Sequence, residues 1–139
     1  MIKFRTMKKD AEKNGAQWSQ LNDSRITIVG RFLRKMRFDE LPQVWNVLKG
    51  ELSFVGPRPE RPEFVNKLRE KIPFYDMRHM IRPGLSGWAQ INPPYYYASE
   101  KDSVVKLQYD LFYIKNRGSG LDLAIALKTL SVLFSRLGR

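Results

Sequence analysis

One short stretch, Arg34, Arg37, Asp39 and Glu40, sets guanidinium groups beside two adjacent carboxylates. Such a pair has two chemical uses. Hard divalent cations take oxygen ligands, and magnesium commonly combines one or two carboxylates with substrate phosphates. A carboxylate can also attack phosphorus and form an acyl phosphate. The plain alternative is an Asp-Glu helix start, favoured by capping and by the helix dipole, which would also lower the Asp39 pKa. Arg58 stands in Gly56-Pro57-Arg58-Pro59, where prolines stiffen the chain and leave the arginine little entropy to lose on gripping a phosphate. An ordinary surface turn fits that stretch equally. Lys3 and Arg5 alternate on a candidate strand, as a solvated basic edge or as phosphate contacts. His79, beside Arg78, is the one histidine; it reads as a surface residue, and Ser-His-Asp chemistry and multi-histidine metal sites are disfavoured. Tyr95, Tyr96 and Tyr97 follow two prolines and read as loop packing, because no RNA-recognition signature surrounds them.

The elements that must carry these groups are mainly helical. Thr27 to Met36 reads as a helix with Ile28, Val29, Phe32, Leu33 and Met36 on one apolar face and Arg31, Arg34 and Lys35 away from it. A second helix follows, with Asp39 as N-cap, Pro42 in the first turn, and Leu41, Val44, Trp45 and Leu48 as its apolar stripe. Gly50 stops it. The short gap between these helices predicts that the carboxylates sit at a helix N-terminus and face Arg34 and Arg58. Leu52 to Val55 reads as a strand, and Pro62 opens a helix with Phe64, Val65, Leu68 and Ile72 on its inner face. Residues Ile81 to Asn92 predict a small β element. Ser99 with Asp102 suggests a capping box at the head of a helix reaching about Asn116. The last helix, Leu121 to Leu137, is apolar around most of its circumference, with a polar stripe through Asp122, Thr129 and Arg136. It is a buried core helix or one lying in a membrane interface.

The whole is one α+β domain over residues 1–139, a mainly helical compact domain with a small β element. Lys and Arg number 25 against 14 acidic residues, a net charge of +11, which calls for an anionic partner: nucleic acid, an anionic membrane, or a phosphorylated substrate. There is no cysteine, so disulfides and cysteine-zinc sites are excluded. No run reaches the roughly 18 apolar residues that span a bilayer, so membrane contact is expected from the surface.

In order along the chain stand Lys3-Phe4-Arg5-Thr6-Met7, Val29-Gly30-Arg31-Phe32-Leu33-Arg34-Lys35 and Asp39-Glu40-Leu41-Pro42-Gln43 with Asn46-Val47-Leu48-Lys49-Gly50. Ser53-Phe54-Val55-Gly56-Pro57-Arg58-Pro59-Glu60, Arg82-Pro83-Gly84-Leu85-Ser86-Gly87-Trp88-Ala89-Gln90, Tyr109-Asp110-Leu111-Phe112-Tyr113-Ile114 and Leu121-Asp122-Leu123 follow. This ordered set resembles the bacterial sugar transferase family, the monotopic phosphoglycosyl transferases. Pro59-Glu60-Arg61-Pro62-Glu63-Phe64-Val65 is closest to the exopolysaccharide branch.

The resemblance implies transfer of a sugar-1-phosphate from a UDP-sugar to polyprenyl phosphate, with UMP released, at the cytoplasmic face of the bacterial inner membrane. It makes Asp39 the nucleophile, with Glu40 helping to position Mg2+. Arg34 and Arg58 match positions near the family's active site. Gln90, Asp110 and Asp122 match further family positions, while Arg82 is a candidate phosphate contact on charge alone. It also implies a membrane-inserting helix ahead of Lys3, so the chain reads as N-terminally truncated relative to the family. The segment Asn92-Pro93-Pro94-Tyr95-Tyr96-Tyr97 departs from the basic or glycine-containing loop expected there, and leaves sugar preference open. The competing class is a basic, non-catalytic module for membrane or nucleic acid. Its binding would weaken with salt without needing Asp39. The ordered motifs favour the enzyme, and no nucleic acid partner is expected.

Overall fold

Local capping signals set the ends of the helices. The computed structural model describes residues 1–13, 15–19, 23–92 and 99–134. Helix α1 covers Ile28–Lys35, and its N-cap Thr27 accepts a hydrogen bond from the Gly30 amide at 2.9 Å. A 3₁₀ turn at Phe38–Glu40 leads to α2, Gln43–Leu48, and then β1, Ser53–Val55. Pro62 opens α3, Pro62–Lys71, where its missing amide proton costs nothing. A 3₁₀ turn at Tyr75–His79 precedes β2, Gly84–Ser86, and another covers Trp88–Ile91. Ser99 caps α4, Glu100–Asn116, accepting from the Asp102 amide, and α5 covers Ser119–Phe134. The domain is therefore α+β and mainly helical. Its sheet is one parallel pair, with Ser53 opposite Gly84 and Val55 opposite Ser86. The Tyr95–Tyr97 run and Arg136 lie outside the described residues.

Two apolar clusters hold these pieces together. Phe64, Leu68, Ile72, Tyr75 and Leu107 form one, with Trp18 and Val65 packed against it. Ile91, Tyr113 and Ile125 form the other, over Val55, Ile81 and Trp88. Helix α4 enters both, through Leu107 and Tyr113, and so ties α3 to α5. The strand pairing needs glycine: a Cβ on Gly84 would lie 2.1 Å from the Gly56 nitrogen. That close approach fixes the start of the Gly56-Pro57-Arg58 loop against β2, where Gly84 N donates to Pro57 O at 2.9 Å.

Several expectations are corrected. Lys3 and Arg5 do not lie on a strand; the first six residues have no regular structure, and only Met7 bridges Ile26. Asp39 is not a helix N-cap. It sits inside the 3₁₀ turn, which Arg37 enters in the left-handed region at φ 55°, and α2 begins at Gln43. The apolar stripe of α1 does not face the core, since Ile28 is 91% exposed and Val29 and Phe32 are open too. The inner face is Gly30, on which a Cβ would stand 2.0 Å from Thr6 O. Arg34, one turn on, points the same way and donates to Thr6 Oγ1 at 2.8 Å. Helix α2 is inverted likewise: Gln43 and Asn46 are buried, at 1% and 3% exposure, while Leu41, Val44, Trp45 and Leu48 lie outside. In α5 Asp122 and Thr129 of the polar stripe turn inward, Asp122 accepting from Tyr113 and Thr129 pairing with Ser86 at 2.6 Å, while Leu123, Leu127 and Leu130 are exposed. Helical periodicity tells which residues segregate; it does not tell which side meets protein.

Candidate active site

The two carboxylates stand in one turn because three neighbours shape it. The left-handed Arg37 bends the chain out of α1, the Glu40 amide donates to Arg37 O at 3.2 Å, and the Phe4 amide donates to Asp39 O at 3.1 Å. The last contact lays the N-terminal segment across the turn and brings Lys3 beside it. From the other side the proline-stiffened loop delivers Arg58. The result is a cleft of about 340 Å³ whose walls include Lys3, Arg34, Arg37, Asp39, Glu40, Arg58, Arg78 and Asp110.

Glu40 is the hub. Both Arg58 guanidinium nitrogens donate to it, Nη1 to Oε2 at 3.5 Å and Nη2 to Oε1. Lys3 Nζ donates to Oε1 at 3.5 Å, and Arg37 Nη1 stands 4.0 Å from Oε2. Burial works to raise the Glu40 pKa, but Arg58, Lys3 and Arg37 together outweigh it and hold the carboxyl at about 2. Asp39 behaves in the opposite sense. Burial first, then the charge of Glu40, raises it, against the pull of Lys3 and Arg34. The expected lowering by a helix dipole is therefore corrected: no helix of useful length starts at Asp39, and burial, reinforced by the acid next door, outweighs the cations. Lys3 is lowered by burial and by Arg58, against Glu40 and Asp39. Among the described residues Asp39 carries no ion pair, and the cations whose charge reaches it are Lys3 and Arg34.

Any magnesium at this turn would have to be an ion shared with substrate and not a caged one. Among the described residues no group of three acidic, histidine or cysteine side chains could hold a metal. Two adjoining carboxylates in an open cleft suit a cation that takes its remaining ligands from water and substrate phosphate. Asp39 and Glu40 are the residues that would hold it.

The other sequence-derived candidates separate. Asp110, 1% exposed, lies on α4 at the back of the cleft, where burial raises it to about 6 against the opposing charge of Arg78. Arg82 and Asp122 instead line a second cavity of about 840 Å³, where Asp122 accepts a 2.7 Å hydrogen bond from Tyr113. Gln90 donates its side-chain amide to Leu85 O at 3.1 Å, bracing the turn after β2, and Arg5 is exposed; neither lines either cavity. Reading the sequence missed Arg78, Thr6 and Lys106 as cleft residues. Arg78 shares a 3₁₀ turn with Tyr75, a local signal that could have drawn attention to it.

Residues 1–136 match the family described as Bacterial sugar transferase. Over 138 residues the chain is 47% identical to a UDP-N-acetylgalactosamine-undecaprenyl-phosphate N-acetylgalactosaminephosphotransferase of Aeromonas hydrophila, covering 99% of this chain and 32% of that protein. Over 131 residues it is 41% identical to a UDP-glucose:undecaprenyl-phosphate glucose-1-phosphate transferase of Xanthomonas campestris pv. campestris, covering 93% and 27%. An Escherichia coli (strain K12) protein of the same name is 39% identical over 132 residues, covering 92% and 28%. The chain thus spans between about a quarter and a third of the length of these relatives. With the match running through the carboxylate turn, the Arg58 loop and α4 alike, the chain belongs to the bacterial sugar transferase family.

Proposed function

We propose that this domain transfers a sugar-1-phosphate from a UDP-sugar to polyprenyl phosphate, undecaprenyl phosphate in bacteria, through a covalent intermediate on Asp39. The observation that carries the reading is the unequal pair. Glu40 is neutralised by Lys3, Arg37 and Arg58, while Asp39 beside it carries no ion pair among the described residues. An Asp39 oxygen attacks the sugar-bearing phosphorus. A P–O bond forms as the bond to the bridging oxygen breaks, and that oxygen leaves with UMP. An oxygen of polyprenyl phosphate then attacks the same phosphorus, giving a polyprenyl diphosphate sugar and releasing Asp39. Lys3, Arg34 and Arg58 orient the diphosphate and oppose the charge that develops on its oxygens. Magnesium, when bound at Asp39 and Glu40, supplies further neutralisation of that charge.

The names of the relatives support the donor and acceptor classes, and such a product would open the assembly of an exopolysaccharide or another surface glycan. The exposed apolar faces of α1, α2 and α5, with the net charge of +11, support surface contact with an anionic bilayer, which in this reading is the cytoplasmic face of the inner membrane. No described helix is long and apolar enough to cross a membrane.

Intact-mass spectrometry tests the reaction. The protein is mixed with UDP-N-acetylgalactosamine or UDP-glucose and magnesium, without polyprenyl phosphate. A phosphosugar adduct is expected that vanishes in Asp39→Asn and is reduced in Glu40→Gln. An adduct that survives Asp39→Asn removes Asp39 as nucleophile, and turnover without any adduct argues for direct transfer.

A further inference from the structure

In the wall of the cleft lies a buried charge pair to which the proposed reaction assigns no role. Arg78 and Asp110 are 7% and 1% exposed, and Arg78 Nη2 stands 2.8 Å from Asp110 Oδ2. The same guanidinium donates from Nη1 to the Tyr75 hydroxyl at 2.7 Å and from Nη2 to the main-chain carbonyl of Arg58 at 2.8 Å. We propose that Arg78, anchored by Asp110 of α4 and by Tyr75, is a positioning residue that holds the Arg58 backbone so that the Arg58 side chain meets Glu40.

The loop geometry makes this coupling stiff. On its β2 side the loop is already pinned, with Gly56 N donating to Ser86 O at 2.8 Å and Gly84 N to Pro57 O at 2.9 Å. Pro57 and Pro59 lock φ on both sides of Arg58, so a shift of the Arg58 carbonyl is not absorbed locally and passes to its side chain. Arg78 adds a further hold, on the Arg58 carbonyl itself. Only a planar fork of donors can reach a hydroxyl, a carbonyl and a carboxylate together; a lysine ammonium brings one point charge. A pair present only for packing would have no reason to spend a buried guanidinium on the backbone of the residue that grips Glu40. Asp110 keeps that guanidinium charged and in place, which removes the cost of an unpaired buried cation.

The consequence for turnover rests on the proposed reaction, whereas the placement of Arg58 does not, and the experiment reads the two separately. Side-chain 15N NMR follows the Arg58 guanidinium, assigned with Arg58→Lys, in the wild type, Arg78→Lys and Asp110→Asn. An ordered Arg58 Nε–H signal is expected in the wild type and a solvent-averaged one in both variants. Single-turnover UMP release from UDP-N-acetylgalactosamine or UDP-glucose is expected to fall about a hundredfold in Arg78→Lys, the scale of a small misplacement. Added to Arg58→Ala, Arg78→Lys is expected to cost nothing more, because it acts through Arg58. An unchanged Arg58 signal in folded Arg78→Lys, or additive losses in the double variant, overturns the proposal. Should Arg78→Lys not fold, Tyr75→Phe removes one anchor alone. A loosened Arg58 signal is then expected, and an unchanged one overturns the proposal. A wild type that releases no UMP sinks the proposed reaction, and the Arg58 signal alone then decides the placement.

Discussion

Burial and the charge of Glu40 push the Asp39 carboxyl up, while Arg58, Lys3 and Arg37 hold Glu40 at about 2 against its own burial. The two adjacent acids therefore part in titration, and two expectations follow. As pH falls through its raised folded pKa, Asp39 gains a proton and would no longer serve as the proposed nucleophile. In the metal-free protein its carboxyl should titrate above the ordinary aspartate value of 3.8, with Glu40 still ionised, as followed by 13C NMR of the carboxyl carbons. A titration at or below 3.8 would contradict the environment described for Asp39. Glu40 is a depressed acid, so its contribution to stability is complete above its unfolded value near 4.5 and is lost as pH falls through about 2. Urea denaturation across that window should show a shallower loss of stability in Glu40→Gln than in the wild type.

Helices α1 and α2 turn small or polar residues inward and large apolar ones outward. For α1 the contact that matters is Gly30 against Thr6 O, which also carries the N-terminal segment bearing Lys3 into the site. Gly30→Ala should cost about 1–3 kcal/mol by urea denaturation, the usual range for overpacking, because the opposing atom is backbone and cannot swing aside. Leu68→Ala, in the apolar cluster of α3, should cost about 2–5 kcal/mol through the cavity it leaves. The outer residues should behave otherwise. Phe32→Ser or Trp45→Ser removes no core contact, so each should leave stability within about 0.5 kcal/mol of the wild type. Each should nonetheless weaken vesicle binding by about ten- to a hundredfold, since burial of a large apolar side chain contributes about 1.5–3 kcal/mol. Flotation with vesicles compares the two; equal binding by the variants would take α1 and α2 out of the bilayer contact.

Across the whole molecule, charge and apolar surface point to the same partner. At the proposed anionic leaflet a net charge of +11 would attract the domain, at about 1 kcal/mol for each basic side chain near the surface, and salt would screen that attraction. The exposed leucines of α5 and the outer faces of α1 and α2 add an apolar part that salt does not screen. Sedimentation with liposomes should therefore show strong binding to anionic vesicles that weakens as salt is raised, and weaker binding to neutral ones at all salt concentrations. Equal binding to neutral and anionic vesicles would mean that charge does not hold the domain there.

How much of this was legible beforehand follows from the range of each interaction. Ser99 capping α4, Pro62 opening α3 and the Phe64, Leu68 and Ile72 face are local: one turn of chain contains both partners, so residue order determines them. The α+β class and the family were legible for a related reason, because ordered motifs need no coordinates to be read. The facing of α1 and α2 was not, since periodicity is the same whether the apolar side meets a core or a membrane. The state of the carboxylates was not legible either. Glu40 gets its charge partners from Lys3, 37 residues away, and Arg58, 18 residues away, and no spacing rule links positions so far apart. Those partners outweigh the local helix-end electrostatics on which the sequence reading rested. Residue order singled out the groups proposed to do the chemistry, and only tertiary structure decided which acid is neutralised and which stays open, because that depends on cations brought in through space.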